Sequence, residues 1–123
     1  MTAETQSRQE DIDFEELLAR VEQDRDLMQD LLAMFREEYP RQRQVLQQAL
    51  EAKDMEQIQA AGHTLKGMCA NLAMPQTAQA AALVETAAKT QNGETLSGAV
   101  TALDQAAARV WEVLDQNPPG AIA

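Results

Sequence analysis

Aromatic residues make up only 3% of this chain, so its 45% of hydrophobic residues consist mainly of leucine, alanine, methionine and valine. With five glycines and four prolines among 123 residues, and no alternating run rich in β-branched residues, strands have little support and helices are the expectation. A single cysteine, Cys69, excludes an internal disulfide and fits a reducing compartment. It falls on the apolar stripe of its helix, as a buried structural thiol would. No run approaches the roughly 18 apolar residues of a spanning helix. The start, Met1-Thr2-Ala3-Glu4-Thr5-Gln6, has neither the basic nor the apolar region of a secretory leader, so the expected location is cytoplasmic. Basic residues are outnumbered 20 to 10, and the formal charge of −10 opposes binding to nucleic acid or to an anionic membrane. There is no glycine-rich nucleotide loop, no Walker lysine and no cluster with metal-ligand spacing, which excludes autonomous use of ATP and a resident metal.

What the chain does have is apolar periodicity. The length suits one domain with a core of its own. Asp13 reads as an N-cap with Glu16 three residues on, followed by Phe14, Leu17, Leu18 and Val21 on one face of a short helix. A longer helix starts near Asp24 or Asp26 and carries Leu27, Leu31, Leu32, Phe35, Leu46, Ala49 and Leu50, with a kink or break expected at Pro40. Asp54 caps a third helix running to about Ala73. Pro75 opens a fourth, which the Asn92-Gly93 pair is expected to stop, and Leu96 to Leu114 form the last. Short connections between long helices make neighbours antiparallel. The predicted fold is all-α: an antiparallel up-down four-helix bundle with a short extra N-terminal helix, spanning residues 12–116. Residues 1–11 are expected to be disordered and 117–123 to form a flexible tail. The alanines of the fourth and fifth helices read as close-packing surface within the bundle.

His63 is the one histidine, and it does not lie where a core histidine would. At about 100° per residue, Ile58, Ala61, Leu65, Met68, Cys69 and Leu72 share an arc of roughly 100°, and His63 lies about 170° from its centre. Gln59, Lys66, Gly67 and Ala70 surround it. An exposed imidazole with a pKa near 6.5 keeps a ring nitrogen free at neutral pH. A lysine one turn away favours that neutral form and would pair with an anion placed on the ring. A glycine in a helix interior costs about 0.5–1 kcal/mol relative to alanine, so Gly62 and Gly67 point to a requirement other than helix stability. For Gly67 that requirement is read as clearance for phosphoryl oxygens and an incoming partner. Lys89 on the next helix is a candidate second cation, weighed against an ordinary pair with Glu85 four residues earlier.

Gly62-His63-Thr64-Leu65-Lys66-Gly67, followed by Cys69-Ala70-Asn71-Leu72-Ala73, resembles the signature of the histidine-containing phosphotransfer (HPt) domain family, Ala-His-x-Leu-Lys-Gly followed by small residues and Asn-Leu-Gly. The likeness in organisation extends from Phe14 to about Asp115 and includes Leu83-Val84-Glu85. Gly62 stands where the family usually has alanine, and Ala73 where it usually has glycine. The resemblance implies a phosphocarrier, not an enzyme: His63 takes a phosphoryl group from a receiver-domain aspartyl phosphate and passes it to another receiver in a two-component phosphorelay. With Met1 at its start and no receiver or kinase segment, the chain is expected to be a free-standing carrier. Lys66 would pair with the phosphoryl group, Gly67 would give clearance, and Gln59, Gly62 and Ala70 would contact the partner. No cofactor of its own is implied, Mg²⁺ being supplied by the receiver. Expected partners are response-regulator receiver domains, with a hybrid sensor histidine kinase as a further candidate, and the expected state is a monomer. Two other readings are weighed. One is an acidic helical adaptor or decoy that binds receiver or kinase domains without exchanging phosphate. The other is an enzyme using His63 as general base, for which a convex helix is expected to supply neither a concave site nor an orienting carboxylate.

Overall fold

The computed structural model describes residues 11–116. Five helices lie within them: α1 (Phe14–Arg20), α2 (Arg25–Ala52), α3 (Met55–Asn71), α4 (Pro75–Lys89) and α5 (Gly93–Gln116). There is no strand among the described residues. The fold is the all-α, up-down four-helix bundle of α2 to α5, with α1 as the short additional helix. The expectations for 1–10 and 117–123 fall outside the described residues. Asp11, assigned to the disordered segment, is instead buried, its Oδ1 3.3 Å from Arg109 Nε.

Local chemistry accounts for most helix starts. The carboxylates of Asp13, Asp24 and Asp54 each accept the backbone N–H three residues on, at 3.0, 3.0 and 3.2 Å, contributing about 1 kcal/mol per cap. Pro75 occupies the first turn of α4, where its missing N–H costs nothing. Three boundaries differ from the sequence expectation. Of the kink or break expected at Pro40, the break does not occur: helix α2 continues through it. That proline is exposed, while Phe35, Tyr39 and Leu46 on either side hold the helix to the core. Helix α3 ends at Asn71, two residues early, because Ala73 turns to the left-handed region at φ 55°. Asn92-Gly93 does not stop α4. Gln91 makes the left-handed turn at φ 54°, and Asn92 caps α5 by accepting the N–H of Thr95 at 3.1 Å.

Seven residues are too few for α1 to hold its shape alone. It is fastened to the α3–α4 connection: the Asp13 N–H donates to the Ala73 carbonyl at 2.8 Å, and Arg20 Nη1 donates to the carbonyls of Ala70 and Asn71 at 2.6 and 3.1 Å. Buried Leu17 adds its side chain to the main core.

The alanines divide the bundle into two kinds of seam. Ala80, Ala81, Ala87, Ala88, Ala99 and Ala106 are buried, which lets α3, α4 and α5 approach closely. Between α2 and α5 the space is filled by larger groups. Phe35, Tyr39 and Trp111 form a triangle with centroids 5.2–5.6 Å apart. Arg43 clamps Asp104 through two hydrogen bonds of 2.7 and 2.8 Å, and Arg36 reaches Asp115 at 2.6 Å. A groove of about 470 Å³ remains here, beside Pro40, Gln44 and Trp111.

Helix α2 is capped after Ala52 by Lys53, an exposed residue at φ 55°. Glycine carries no side-chain penalty in this region, so Lys53→Gly is expected to raise unfolding stability by about 0.5–1 kcal/mol. Urea titration of both proteins measures it.

Candidate functional site

Helix α3 buries Ile58, Ala61, Leu65 and Cys69 and turns His63 to solvent, its side chain 68% exposed. The buried thiol of Cys69 is pushed up to about 12 by desolvation, which suits an inert core group.

The seam between α3 and α4 is tight because Gly62 has no side chain. A Cβ built there would lie 2.9 Å from the backbone nitrogen of Glu85 and 3.2 Å from both its Cα and Val84 Cγ1. Gly62 is therefore buried, and the expectation that it contacts a partner is corrected: it contacts α4. Gln59 is half-buried and Ala70 exposed, so both keep some access to solvent.

From its place over Gly62, Glu85 sends its carboxylate along α3 to two groups at once. Oε2 lies 2.9 Å from His63 Nδ1, and Oε1 accepts from Lys66 Nζ at 2.7 Å. The lysine ammonium, and to a lesser extent the imidazole, hold the Glu85 carboxyl below its ordinary value of 4.5, against a smaller opposing effect of desolvation. An ionised carboxylate only accepts, so Nδ1 is the nitrogen that donates. In the neutral ring Nε2 then carries the free lone pair. An orienting carboxylate is thus present, contrary to expectation.

Glu85 is what the sequence reading missed as a functional residue. It is the single carboxylate in α4, set among alanines, and that isolation was the available signal. The lysine four residues on offered it an ordinary explanation. That pair is not formed: both oxygens of Glu85 are engaged by α3, and exposed Lys89 makes no ion pair among the described residues. Lys89 is on the same helix one turn beyond Glu85 and is not brought onto His63.

Gly67, one turn beyond His63, differs from Gly62. A Cβ there would meet nothing within 4 Å, so no packing within the described chain requires a glycine. The space it leaves belongs to the outside. Among the described residues no three His, Cys, Asp or Glu side chains gather as metal ligands, and no helix is long and apolar enough to cross a membrane.

Compared with known families, the Hpt domain model matches residues 30–113, more than two thirds of the chain and all of the site just described. No curated protein and no solved structure matches it.

Because Glu85 has a lowered pKa, its interactions stabilise the fold fully above the ordinary carboxyl value and are lost as pH falls through the lower, folded value. The stability gap between the native protein and Glu85→Gln is therefore expected to be fully present at pH 6 and to shrink as pH is taken from 6 toward 3. Denaturant midpoints across that range check it.

Proposed function

The chain belongs to the Hpt domain family, whose members carry out histidine phosphotransfer in two-component phosphorelays, and from that premise we propose that it is a phosphocarrier working through Nε2 of His63. The observation that carries this reading is the Glu85 carboxylate on Nδ1, which leaves the opposite nitrogen unprotonated on a ring that is 68% exposed. The Nε2 lone pair attacks the phosphorus of a receiver's aspartyl phosphate, the N–P bond forms, and the P–O bond to the aspartate breaks with its electrons leaving on the carboxylate. No proton has to depart from Nε2. The ring becomes cationic, with its Nδ1 proton held on Glu85, which offsets that charge. Attack by a second receiver's aspartate on the phosphohistidine reverses each change. Mg²⁺ belongs to the receiver in this scheme.

Lys66 is the cation for the phosphoryl oxygens. Its ammonium is already fixed beside His63 by Glu85 and is 36% exposed, so it reaches an incoming anion with little reordering. Lys89 acts at most at the rim of the docking face. Gly67 admits the partner, which explains a helix glycine with open space around it.

The docking face extends beyond α3. Leu17 is buried and Phe14, Leu18 and Val21 are half-buried, so α1 offers little apolar surface. Leu27, Met34 and Val45 of α2 are exposed by 43, 63 and 45%, and their spacings of seven and eleven residues bring them within about 20° of one line. That line lies opposite Arg36 and Arg43, which face α5, and so borders the α3 side of α2. A receiver seated on His63 covers this stripe.

The adaptor reading and the carrier reading part at one experiment. A receiver charged with acetyl phosphate is expected to label the native protein with an acid-labile, base-stable phosphate and to leave His63→Gln unlabelled, with helical circular dichroism unchanged. Met34→Asp should label slowly because the receiver binds it weakly. Binding of charged receivers without labelling, or labelling that survives His63→Gln, defeats the proposal. Gly67→Ala separates fold from function. It should gain about 0.5–1 kcal/mol of stability and lose phosphotransfer rate, whereas a glycine kept for internal packing would lose both.

A further inference from the structure

We infer that Gly62 is a positioning residue for the phosphoryl-accepting nitrogen, acting through Glu85; the inference rests on the phosphocarrier reading for its consequence but not for its geometry. Two independent features coincide. The atoms that a Cβ at Gly62 would strike are the backbone nitrogen and Cα of Glu85, at 2.9 and 3.2 Å. Glu85 is also the residue whose carboxylate spans His63 and Lys66, at 2.9 and 2.7 Å. His63 and Lys66 are one and four positions beyond Gly62 on α3. A glutamate whose backbone is seated at Gly62 therefore has both partners on the C-terminal side of that seat, within reach of its two oxygens.

The contact is backbone on a missing side chain, so neither party has a flexible end that gives way. A Cβ at 2.9 Å has to retreat to about 3.4 Å for ordinary contact, moving α4 outward by roughly half an ångström at Glu85. Charge-assisted hydrogen bonds of 2.7–2.9 Å have little slack for such a shift. The weaker of the two pairings, Nδ1 of His63, is released first, because Lys66 has a long side chain that follows the carboxylate. Freed of Glu85, the ring distributes its proton between both nitrogens, and the fraction with an open Nε2 falls.

Nitrogen-15 NMR of the histidine ring tests this without any phosphate. In the native protein at pH 8 the neutral ring is expected to be the Nδ1–H form. In Gly62→Ala, with helical circular dichroism retained, it should become a mixture with a large Nε2–H fraction, and phosphotransfer from a charged receiver should slow several-fold with receiver affinity unchanged. Gly67→Ala, the same substitution where nothing lies within 4 Å, should leave the tautomer as it is. Glu85→Asp shortens the reach by one methylene with the backbone contact intact. It should reproduce the mixture, and it decides the matter if Gly62→Ala fails to fold. A lowered melting temperature in Gly62→Ala with tautomer and rate both unchanged, or a native-like tautomer in Glu85→Asp, overturns the inference. If no receiver labels the native protein, the phosphocarrier reading fails, while the tautomer comparison still decides the role of Gly62.

Discussion

One carboxylate reaching across a helix seam organises the candidate site of this protein. Glu85 is four-fifths buried, yet it is balanced by the ammonium of Lys66 and by an imidazole N–H, so its charge is kept rather than neutralised. It accepts the ring's Nδ1 proton on one oxygen and holds the ammonium of Lys66 on the other. The remainder of the fold serves that placement. The alanines of α4 and α5 close the bundle tightly, α1 is tied by Arg20 and Asp13 to the α3–α4 connection, and the α2–α5 seam, filled by three aromatic rings, holds the opposite side.

The two glycines of α3 divide the cost of function between the inside and the outside of the molecule. Both are unfavourable in a helix. Gly62 is offset within the chain, because close approach of α4 brings buried contact and a salt bridge. Gly67 gains no packing from the described residues, and in the proposed carrier its cost is one of recognition. Ala73 is a further expense: at φ 55° alanine costs about 1 kcal/mol more than glycine, and its methyl group recovers part of this through burial.

Much of this could be read before any coordinates. Asp13, Asp24 and Asp54 act on N–H groups three residues away, so capping is visible in a short stretch of sequence. The stripe from Ile58 to Leu72 placed His63 on the exposed face by periodicity alone. The misses share a different character. Pro40 does not break its helix, because it lies on the exposed face while its neighbours are held to the core, and that depends on tertiary packing. Asn92 serves α5 rather than α4 because Gln91 turns left-handed first, and the two choices differ by one residue of register. Gly62 and Glu85 are 23 residues apart, and their meeting depends on how α3 and α4 are aligned across a turn, which periodicity does not specify. An acid with a lysine four residues on the same helix invites a local pairing. Here the competing cation on α3 is closer, and the tertiary contact wins.

The regiochemistry of the phosphorylated protein tests the account most directly. Nitrogen-15-labelled protein, charged by a receiver and observed through ¹⁵N–³¹P coupling, is expected to bear its phosphoryl group on Nε2 of His63 with the proton retained on Nδ1. A phosphoryl group on Nδ1 would mean that the Glu85 hydrogen bond does not direct the chemistry, and its absence from His63 altogether would contradict the assignment of the site.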